Sequence, residues 1–286
     1  MRLKADLTLL AVAIIWGSAF ITQGIAAKYH LAYLFNGVSF ILASIVLVPF
    51  LPHHRKIQAG QWKWMLVAGL VLFAATALQQ VGIFYTKIAN AGFLTSLYIV
   101  FTPFLLWIGF RERPHWIDVV AVIGASLGAF FLSTSGRFQV QPGDAMELIG
   151  AVFWGLHVVI IGKFASRYEP ISFAAGHFFI TGLLNLLFGL AFEKTGQLIL
   201  LPVIGAVIYR ALLSIGIGYS LQVWSQRHTP PTDAALILSL EAIVAVVAAW
   251  VFLKQSLLSI QLVGCLIIFI SVLLSQLKGA QHARKG

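Results

Sequence analysis

The sequence is poor in charge and almost free of cysteine. Only 10% of its 286 residues are charged, whereas soluble domains carry roughly 25%. So few charges cannot coat a globule in water, which excludes an ordinary soluble domain. The single cysteine, Cys265, lies in an apolar run, which excludes a disulfide framework and a cysteine metal cluster.

The short motifs of nucleotide-binding and metal-dependent enzymes are also missing. The sequence contains no Walker loop, no G-x-G-x-x-G and no H-E-x-x-H, and its carboxylates are not grouped as metal ligands. We therefore expect no cofactor and no metal. The net charge of +10 is spread between apolar runs rather than gathered on one face, so we expect no nucleic-acid partner.

Long apolar runs dominate what is present. Hydrophobic residues make up 60% of the chain and the mean hydropathy is +0.94. Because about 20 apolar residues cross a bilayer as a helix, the chain is predicted to be an all-α integral membrane protein with ten transmembrane helices. The ten spans are 7–27, 31–51, 64–84, 91–110, 117–135, 146–163, 171–192, 204–225, 234–253 and 257–277.

The basic residues predict the orientation of these spans. With the N-terminus inside, 13 Lys and Arg fall on the cytoplasmic side and 6 outside, as the positive-inside rule requires. Both termini are therefore predicted to be cytoplasmic, in the inner membrane of the cell. The first span is too long for a signal peptide and is expected to be retained.

Two halves of the sequence resemble each other. The matched pairs are IIWGSAF (14–20) with AVFWGLH (151–157), ANAGFLTSLYIV (89–100) with TDAALILSLEAI (232–243), and LQQ (78–80) with LQV (221–223). The last two pairs share an offset of 143. We interpret 1–140 and 141–286 as five-helix repeats; chance likeness between apolar helices is the alternative. An odd number of spans per half gives a 5+5 inverted-topology repeat, as in many secondary transporters.

These features together identify a family resemblance. Ten spans, the Trp-Gly pairs and the segment NAGFLTSLYIVFTPFLLWIGFRERP (90–114) resemble the EamA family of the drug/metabolite transporter superfamily. The resemblance implies export of amino acids and other small metabolites. It also implies a central cavity lined by the first, third, fourth, sixth, eighth and ninth spans. The second half departs from the pattern, since Val246 matches Pro103 and KQ (254–255) matches RE (111–112).

Glu241 is the leading candidate for a functional side chain. It lies within the apolar stretch AALILSLEAIVAVVAAWVF, where an ionised carboxylate costs about 2.5–3.5 kcal/mol. It must face a wet cavity, pair with another group or carry a proton. We expect it to bind a substrate ammonium group or a coupling proton; a packing role satisfied by hydroxyls is the alternative. The repeat places Tyr98 at the equivalent position.

Aromatic, histidine and amide side chains complete the predicted site. Trp16 and Trp154 lie in mid-span, where a cavity wall is favoured over packing because an indole N–H needs a partner. His157 shares a face with Trp154 and can titrate or simply pack. The remaining predicted substrate-binding residues are Phe20, Phe101, Gln23, Gln79, Gln80 and Gln222. The amides of the four glutamines can alternatively join helices.

Pro103 and Arg210 have predicted roles outside the substrate-binding set. Pro103 removes a helical hydrogen bond inside the fourth span and is predicted to act as a hinge; the alternative is an ordinary proline, since proline is common in membrane helices. Arg210 lies inside the eighth span and is predicted to snorkel outward, with a gate role as the alternative. Gly124 and Gly128 indicate close helix packing, either within the chain or in a dimer, although a monomer is favoured.

The sequence thus predicts a non-enzymatic secondary transporter in the lipid bilayer that exports small-molecule substrates by alternating access. Amino acids are favoured, aromatic or bulky hydrophobic ones first. Within transport, the alternatives are a proton-coupled efflux carrier for lipophilic cations and passive export without a coupling ion. Outside transport, the alternative is a membrane-bound enzyme or scaffold.

Overall fold

A computed structural model describes residues 1–52, 58–86, 88–134, 137, 139–253 and 258–283, and every regular element in that part of the chain is helical. The helices are α1 (Arg2–Lys28), α2 (Tyr33–Leu47), α3 (Gln61–Gly82), α4 (Ile88–Ser96), α5 (Tyr98–Phe110), α6 (Trp116–Thr134), α7 (Asp144–Lys163), α8 (Pro170–Phe192), α9 (Leu201–Tyr209), α10 (Ser220–Ser225), α11 (Pro231–Leu238), α12 (Glu241–Leu253) and α13 (Ser259–Ala283). A π-helix (Arg210–Tyr219) joins α9 to α10.

Each of the ten predicted spans corresponds to one helix or to a broken helix. The fourth, eighth and ninth spans are the broken ones, formed by α4–α5, by α9 through α10 and by α11–α12. Within the described residues, seven helical segments are long and apolar enough to cross a membrane, and two shorter ones are apolar as well. Large apolar side chains such as Ile108, Phe192 and Leu201 lie on the outside of the bundle. The chain is therefore an all-α, multi-pass membrane protein, as predicted.

The helix contacts repeat between the two halves. Helix α2 packs on α8, and α6 packs on α13. Helix α1 contacts α10 and α12, while α7 contacts α3 and α5 in the equivalent way. Gly128 packs against Gly264 at the α6–α13 crossing, where a Cβ on either residue would overlap the other helix. The close-packing signal in the fifth span therefore serves a contact within the chain.

The fourth and ninth spans are interrupted at equivalent places. Helix α4 ends at Ser96, and α11 ends at Leu238 just before Ser239. Ser96 Oγ donates to the carbonyl of Phe93 and Ser239 Oγ donates to that of Leu236, both at 2.7 Å. Such local side-chain bonds compete with the helical ladder. Leu97 and Leu240 separate the halves of the two spans.

Pro103 lies inside α5, after this interruption. The sequence placed the bend of the fourth span at the proline, whereas the helix breaks at Leu97, near the middle of the span. A hinge function for Pro103 stays a prediction.

Two carboxylates cap equivalent helices in different ways. Glu193, just after α8, accepts the backbone N–H groups of Ala32, Tyr33 and Leu34 at 2.8–2.9 Å and so caps α2 from the other half of the chain. Glu169 accepts from the N–H groups of its own neighbours at the start of α8. Both satisfy N–H groups that a helix cannot pair internally. Only the Glu193 cap ties the two halves together.

Candidate functional site

A narrow chamber of about 50 Å³ lies between the two halves. Its wall comes from the six spans that the family resemblance implied. The lining residues are Trp16, Ala19, Phe20, Gln23, Gln79, Thr95, Tyr98, Trp154, Val158, Arg210, Ser214, Ile215, Tyr219, Gln222, Leu238 and Glu241. A water needs about 10–15 Å³ by this kind of measure and ligand pockets run from about 300 Å³ upward, so the chamber holds a few waters and must widen for a solute.

The helix breaks bring Glu241 and Tyr98 to the chamber. Each is the first residue of the second helix of its span, α12 or α5. The Glu241 carboxyl faces the Tyr98 hydroxyl, so the equivalent positions of the two halves meet at the centre of the molecule. Glu241 is 7% exposed and Tyr98 is 4% exposed.

The Trp-Gly pairs position both residues. A Cβ on Gly17 would lie 2.5 Å from the carbonyl oxygen of Glu241, and one on Gly155 would lie 3.3 Å from that of Tyr98. The glycines let α1 and α7 approach the broken spans at the two backbones that carry the central side chains. The tryptophan that precedes each glycine then lines the chamber.

An aromatic wall closes one side of the chamber. Tyr219 lies between Trp16 and Trp154, with ring centroids 4.6 Å and 6.3 Å away, and its ring is nearly parallel to that of Trp154. Trp16 Nε1 donates to the carbonyl of Ser214 in the π-helix at 2.9 Å. Trp154 Nε1 has no hydrogen-bond partner among the described residues, which leaves an indole donor for a bound molecule.

Arg210 also lines the chamber, and the prediction that it snorkels outward is wrong. The side chain is 4% exposed and its guanidinium lies over the ring of Phe35, 5.0 Å from the centroid. Its Nε has no hydrogen-bond partner in the described part of the chain. The π-helix that begins at Arg210 carries both this residue and Tyr219 into the wall.

Opposite charges therefore share the chamber without pairing. The ion pairs within the described residues join Arg2 to Asp6 and Asp233 and Lys163 to Glu112, and none of them includes Arg210 or Glu241. A buried charge without a partner is costly, so each of these two side chains needs water, a bound group or, for Glu241, a proton.

The four predicted glutamines differ in whether they line the chamber. Gln222 lines the chamber, and neither its Nε2 nor its Oε1 has a partner among the described residues. Gln79, at the repeat-equivalent position, donates to Thr95 Oγ1 at 3.0 Å. Gln23 lines the chamber, whereas Gln80 lies behind it and donates to the backbone carbonyl of Gln23.

Three predicted site residues lie outside the lining: Gln80, Phe101 and His157. Phe101 packs against Gly155 where α5 meets α7. His157 is 5.8 Å from Tyr219 and 5.7 Å from His177 between ring centroids. The histidine thus supports the aromatic wall from behind rather than facing the chamber.

Equivalent hydrogen bonds close the two ends of the molecule. At the N-terminal face, defined by Arg2, Asp6 and Thr229, Thr229 Oγ1 donates to Asp6 at 2.7 Å. At the opposite face Thr86 Oγ1 donates to Asp144 at 2.5 Å. Asp6 and Asp144 differ by 138 positions, as do Trp16 and Trp154, and the two threonines differ by 143.

Further polar contacts reinforce the N-terminal closure. Arg2 pairs with Asp233 at 2.5 Å, and Ser275 donates to the same carboxylate. A polar recess of about 520 Å³ surrounds this network and includes the Glu112–Lys163 pair. Both closures are formed in this structure, and the chamber between them is narrow.

Sequence reasoning missed Glu147, which is 0% exposed and accepts a hydrogen bond from the chamber residue Thr95 at 3.0 Å. Glu147 lies near the start of a span, one turn after Asp144. Acids are favourable at a helix N-terminus, so this one did not stand out as a functional residue. The signal available was that a second acid follows the first on the same helix face, just before the apolar run.

These features define a membrane carrier of two helical halves around a chamber lined by aromatic, apolar and polar side chains. The EamA-like transporter family matches the chain twice, over residues 3–134 and 141–277, and the chain belongs to that family. It is 32% identical over 277 residues to an uncharacterized transporter of Archaeoglobus fulgidus, covering 97% of this chain and 87% of that one.

Other relatives are more distant. The threonine/homoserine exporter RhtA of Salmonella typhimurium is 25% identical over 239 residues, covering 81% of this chain and 77% of that one. A solved crystal structure of another protein matches with a TM-score of 0.84 at 17% identity, covering 98% of this chain and 99% of that chain. This last likeness shows the fold.

Proposed function

We propose that this chain is a secondary transporter that exports small zwitterionic metabolites, foremost amino acids, by alternating access around the chamber. The observation that carries the proposal is the presence of Glu241 and Arg210 in one chamber without an ion pair between them. The N-terminal face is taken as cytoplasmic on the distribution of Lys and Arg.

The two charges match the two ends of an amino acid. Glu241 can accept hydrogen bonds from an ammonium group, and the Arg210 guanidinium can bind a carboxylate through a charge-assisted pair. The free indole N–H of Trp154 and the unpartnered amide of Gln222 add neutral donors and an acceptor. Binding of both ends at once would favour closure of the two halves around the solute.

The aromatic wall supports, more weakly, the predicted preference for aromatic or bulky hydrophobic side chains. Trp16, Tyr219 and Trp154 offer ring faces to a solute. The RhtA relative is named for smaller, polar amino acids, so the side-chain preference is best measured with a mixture. Efflux of lipophilic cations is disfavoured because Arg210 in the same chamber repels a cation.

Counterflow in liposomes tests this function. Purified protein is reconstituted, a mixture of radiolabelled proteinogenic amino acids is offered against an unlabelled pool, and the accumulated species are identified. Glu241→Gln and Arg210→Gln should each lower counterflow about tenfold, because a hydrogen bond to a charged group contributes about 1.5–3 kcal/mol.

Matched control variants show whether the loss of transport comes from the chamber site or only from the change in net charge. Glu169→Gln and Arg137→Gln remove the same charges at positions outside the chamber and should leave counterflow unchanged. Absence of amino-acid counterflow in correctly folded protein overturns the proposal. Transport of a lipophilic cation that Glu241→Gln abolishes at every pH would instead establish the efflux alternative.

A further inference from the structure

Glu147 is a second buried acid that lies behind the chamber wall. It is on α7, one turn after Asp144, and its side chain has no exposure to solvent. The residue does not line the chamber, so the substrate-binding proposal leaves it without a role. An acid enclosed in this way within a membrane helix needs a physical explanation.

A niche is built around this carboxyl group. Glu147 Oε2 accepts a hydrogen bond from Thr95 Oγ1 at 3.0 Å, while Oε1 has no hydrogen-bond partner among the described residues. A Cβ on Gly82 would lie 2.6 Å from Oε1, so the absence of a side chain there makes the space that the carboxyl occupies.

The charge of Glu147 is uncompensated in the described part of the chain. None of the ion pairs found there includes Glu147, and the titratable neighbour that acts on it is another acid, Asp144. Asp144 is itself engaged by Thr86 Oγ1 and by the backbone N–H of Gln141. Lys87 lies outside the described residues and needs a test of its own. A proton is the compensating charge that fits a niche with one free carboxyl oxygen.

Glu147 also connects the chamber to the closure at the opposite face. Gln79 Nε2 donates to Thr95 Oγ1 at 3.0 Å, and both residues line the chamber. On its other side, Asp144 holds Thr86 and closes the opposite face. A change in the charge of Glu147 is therefore expected to affect both the chamber and the Asp144–Thr86 closure.

We propose that Glu147 binds and releases the proton that couples solute export to an inward proton gradient, an inference that rests on the proposed function. When the opposite face opens, external water gives one proton to a carboxyl oxygen of Glu147. When the N-terminal face opens, that proton leaves past Thr95 to water in the chamber. One proton thus crosses the membrane, and no other bond forms or breaks.

A pH gradient across liposomes tests the coupling. The wild-type protein should change the steady-state accumulation of the labelled amino-acid mixture by up to about tenfold for each unit of pH difference, if one proton moves per solute. Glu147→Gln should lose this response and still show counterflow at equal pH above that of protein-free liposomes, because exchange needs no net proton movement.

Two controls test whether a lysine or a sodium ion takes the place of the proton. Lys87→Gln should keep the gradient response; loss of the response in this variant would indicate an ion pair and overturn the proposal. A sodium gradient should drive no accumulation. Amino-acid flux that ignores the pH gradient, or a gradient response that survives in Glu147→Gln, overturns the inference and leaves the proposed function standing.

Infrared spectroscopy of the detergent-solubilised protein gives a readout that is independent of transport. Protonated carboxylic acids have a C=O stretching band distinct from that of carboxylates, and this band should titrate in the wild type. Glu147→Gln should remove one component, and Glu241→Gln should leave that component in place. If no amino acid is transported, the proposed function fails, and a spectrum unchanged by Glu147→Gln rejects Glu147 as a proton-binding residue as well.

Discussion

The closures at the two faces use the same hydrogen bond in different surroundings. At the N-terminal face the Asp6–Thr229 bond is reinforced by Arg2, which pairs with both Asp6 and Asp233. At the opposite face the Asp144–Thr86 bond lies one helical turn from the buried acid Glu147, and no ion pair is found there among the described residues.

This difference makes the two faces of the inverted repeat chemically unequal. A symmetric pair of gates would favour neither face, because each half would present the same free energy of opening to its own side of the membrane. Because ion pairs lie at one face and the buried acid Glu147 lies at the other, we expect the free energies of opening the two faces to differ. The same asymmetry recurs at the centre, where Glu241 and Tyr98 occupy equivalent positions.

The largest expected effect comes from the two Trp-Gly contacts. Gly17→Ala places a methyl group 2.5 Å from the Glu241 carbonyl oxygen and 2.6 Å from Val244 Cβ, whereas Gly155→Ala meets its nearest neighbour at 3.2 Å. Overpacking costs about 1–3 kcal/mol, so Gly17→Ala should lower counterflow at least about tenfold. Gly155→Ala should have a far smaller effect.

Thermal unfolding of both variants serves as the control for folding. Equal losses of transport in the two glycine variants would contradict the close approach of α1 to Glu241 as the cause.

The closures themselves should respond unequally to loss of a hydroxyl. Thr86→Val and Thr229→Val each delete a hydrogen bond to a carboxylate, worth about 1.5–3 kcal/mol. Thr86→Val should open the opposite face about tenfold more often. Thr229→Val should open the N-terminal face less than that, because the Arg2–Asp233 pair and the Ser275 bond remain.

A cysteine at Ala19, which lines the chamber, reports these openings in a Cys265→Ala background. Membrane-impermeant thiol reagents are applied from one side at a time, and labelling rates are compared with the parent protein. Faster labelling from the same side in both threonine variants would refute the assignment of the two bonds to opposite gates.

The smallest effect is expected at the helix caps. Glu193→Gln weakens a cap that binds three N–H groups of α2 from the other half of the chain, while Glu169→Gln weakens a local cap of two. A charge at a helix N-terminus contributes about 0.3–1 kcal/mol. Glu193→Gln should therefore lower the melting temperature more than Glu169→Gln, as measured by fluorescence-detected unfolding in detergent. The reverse order would show that the contact between halves adds no stability.

The sequence predicted the spans because apolar length is a direct property of each segment. It also predicted eight chamber residues, since mid-span polar and aromatic side chains such as Trp16, Gln222 and Glu241 have few stable positions except at a cavity. The internal repeat supplied the equivalence of Tyr98 and Glu241.

What the sequence could not supply depends on tertiary geometry. The break of the fourth span was assigned to Pro103, whereas a serine hydroxyl accompanies each actual break, and serine is common throughout membrane helices. Arg210 was assigned to the interface because nothing in its neighbours announces a π-helix that turns it inward. His157 shares a face with Trp154, but the intervening Tyr219 became visible only in the fold.

Helices α6 and α13 pack on each other and, within the described residues, contribute nothing to the chamber lining. This pair therefore packs beside the chamber-lining helices α4, α11 and α12 without forming the chamber wall itself. We expect substitutions that change the transported solute to fall in the other segments, with α6 and α13 kept as supporting helices.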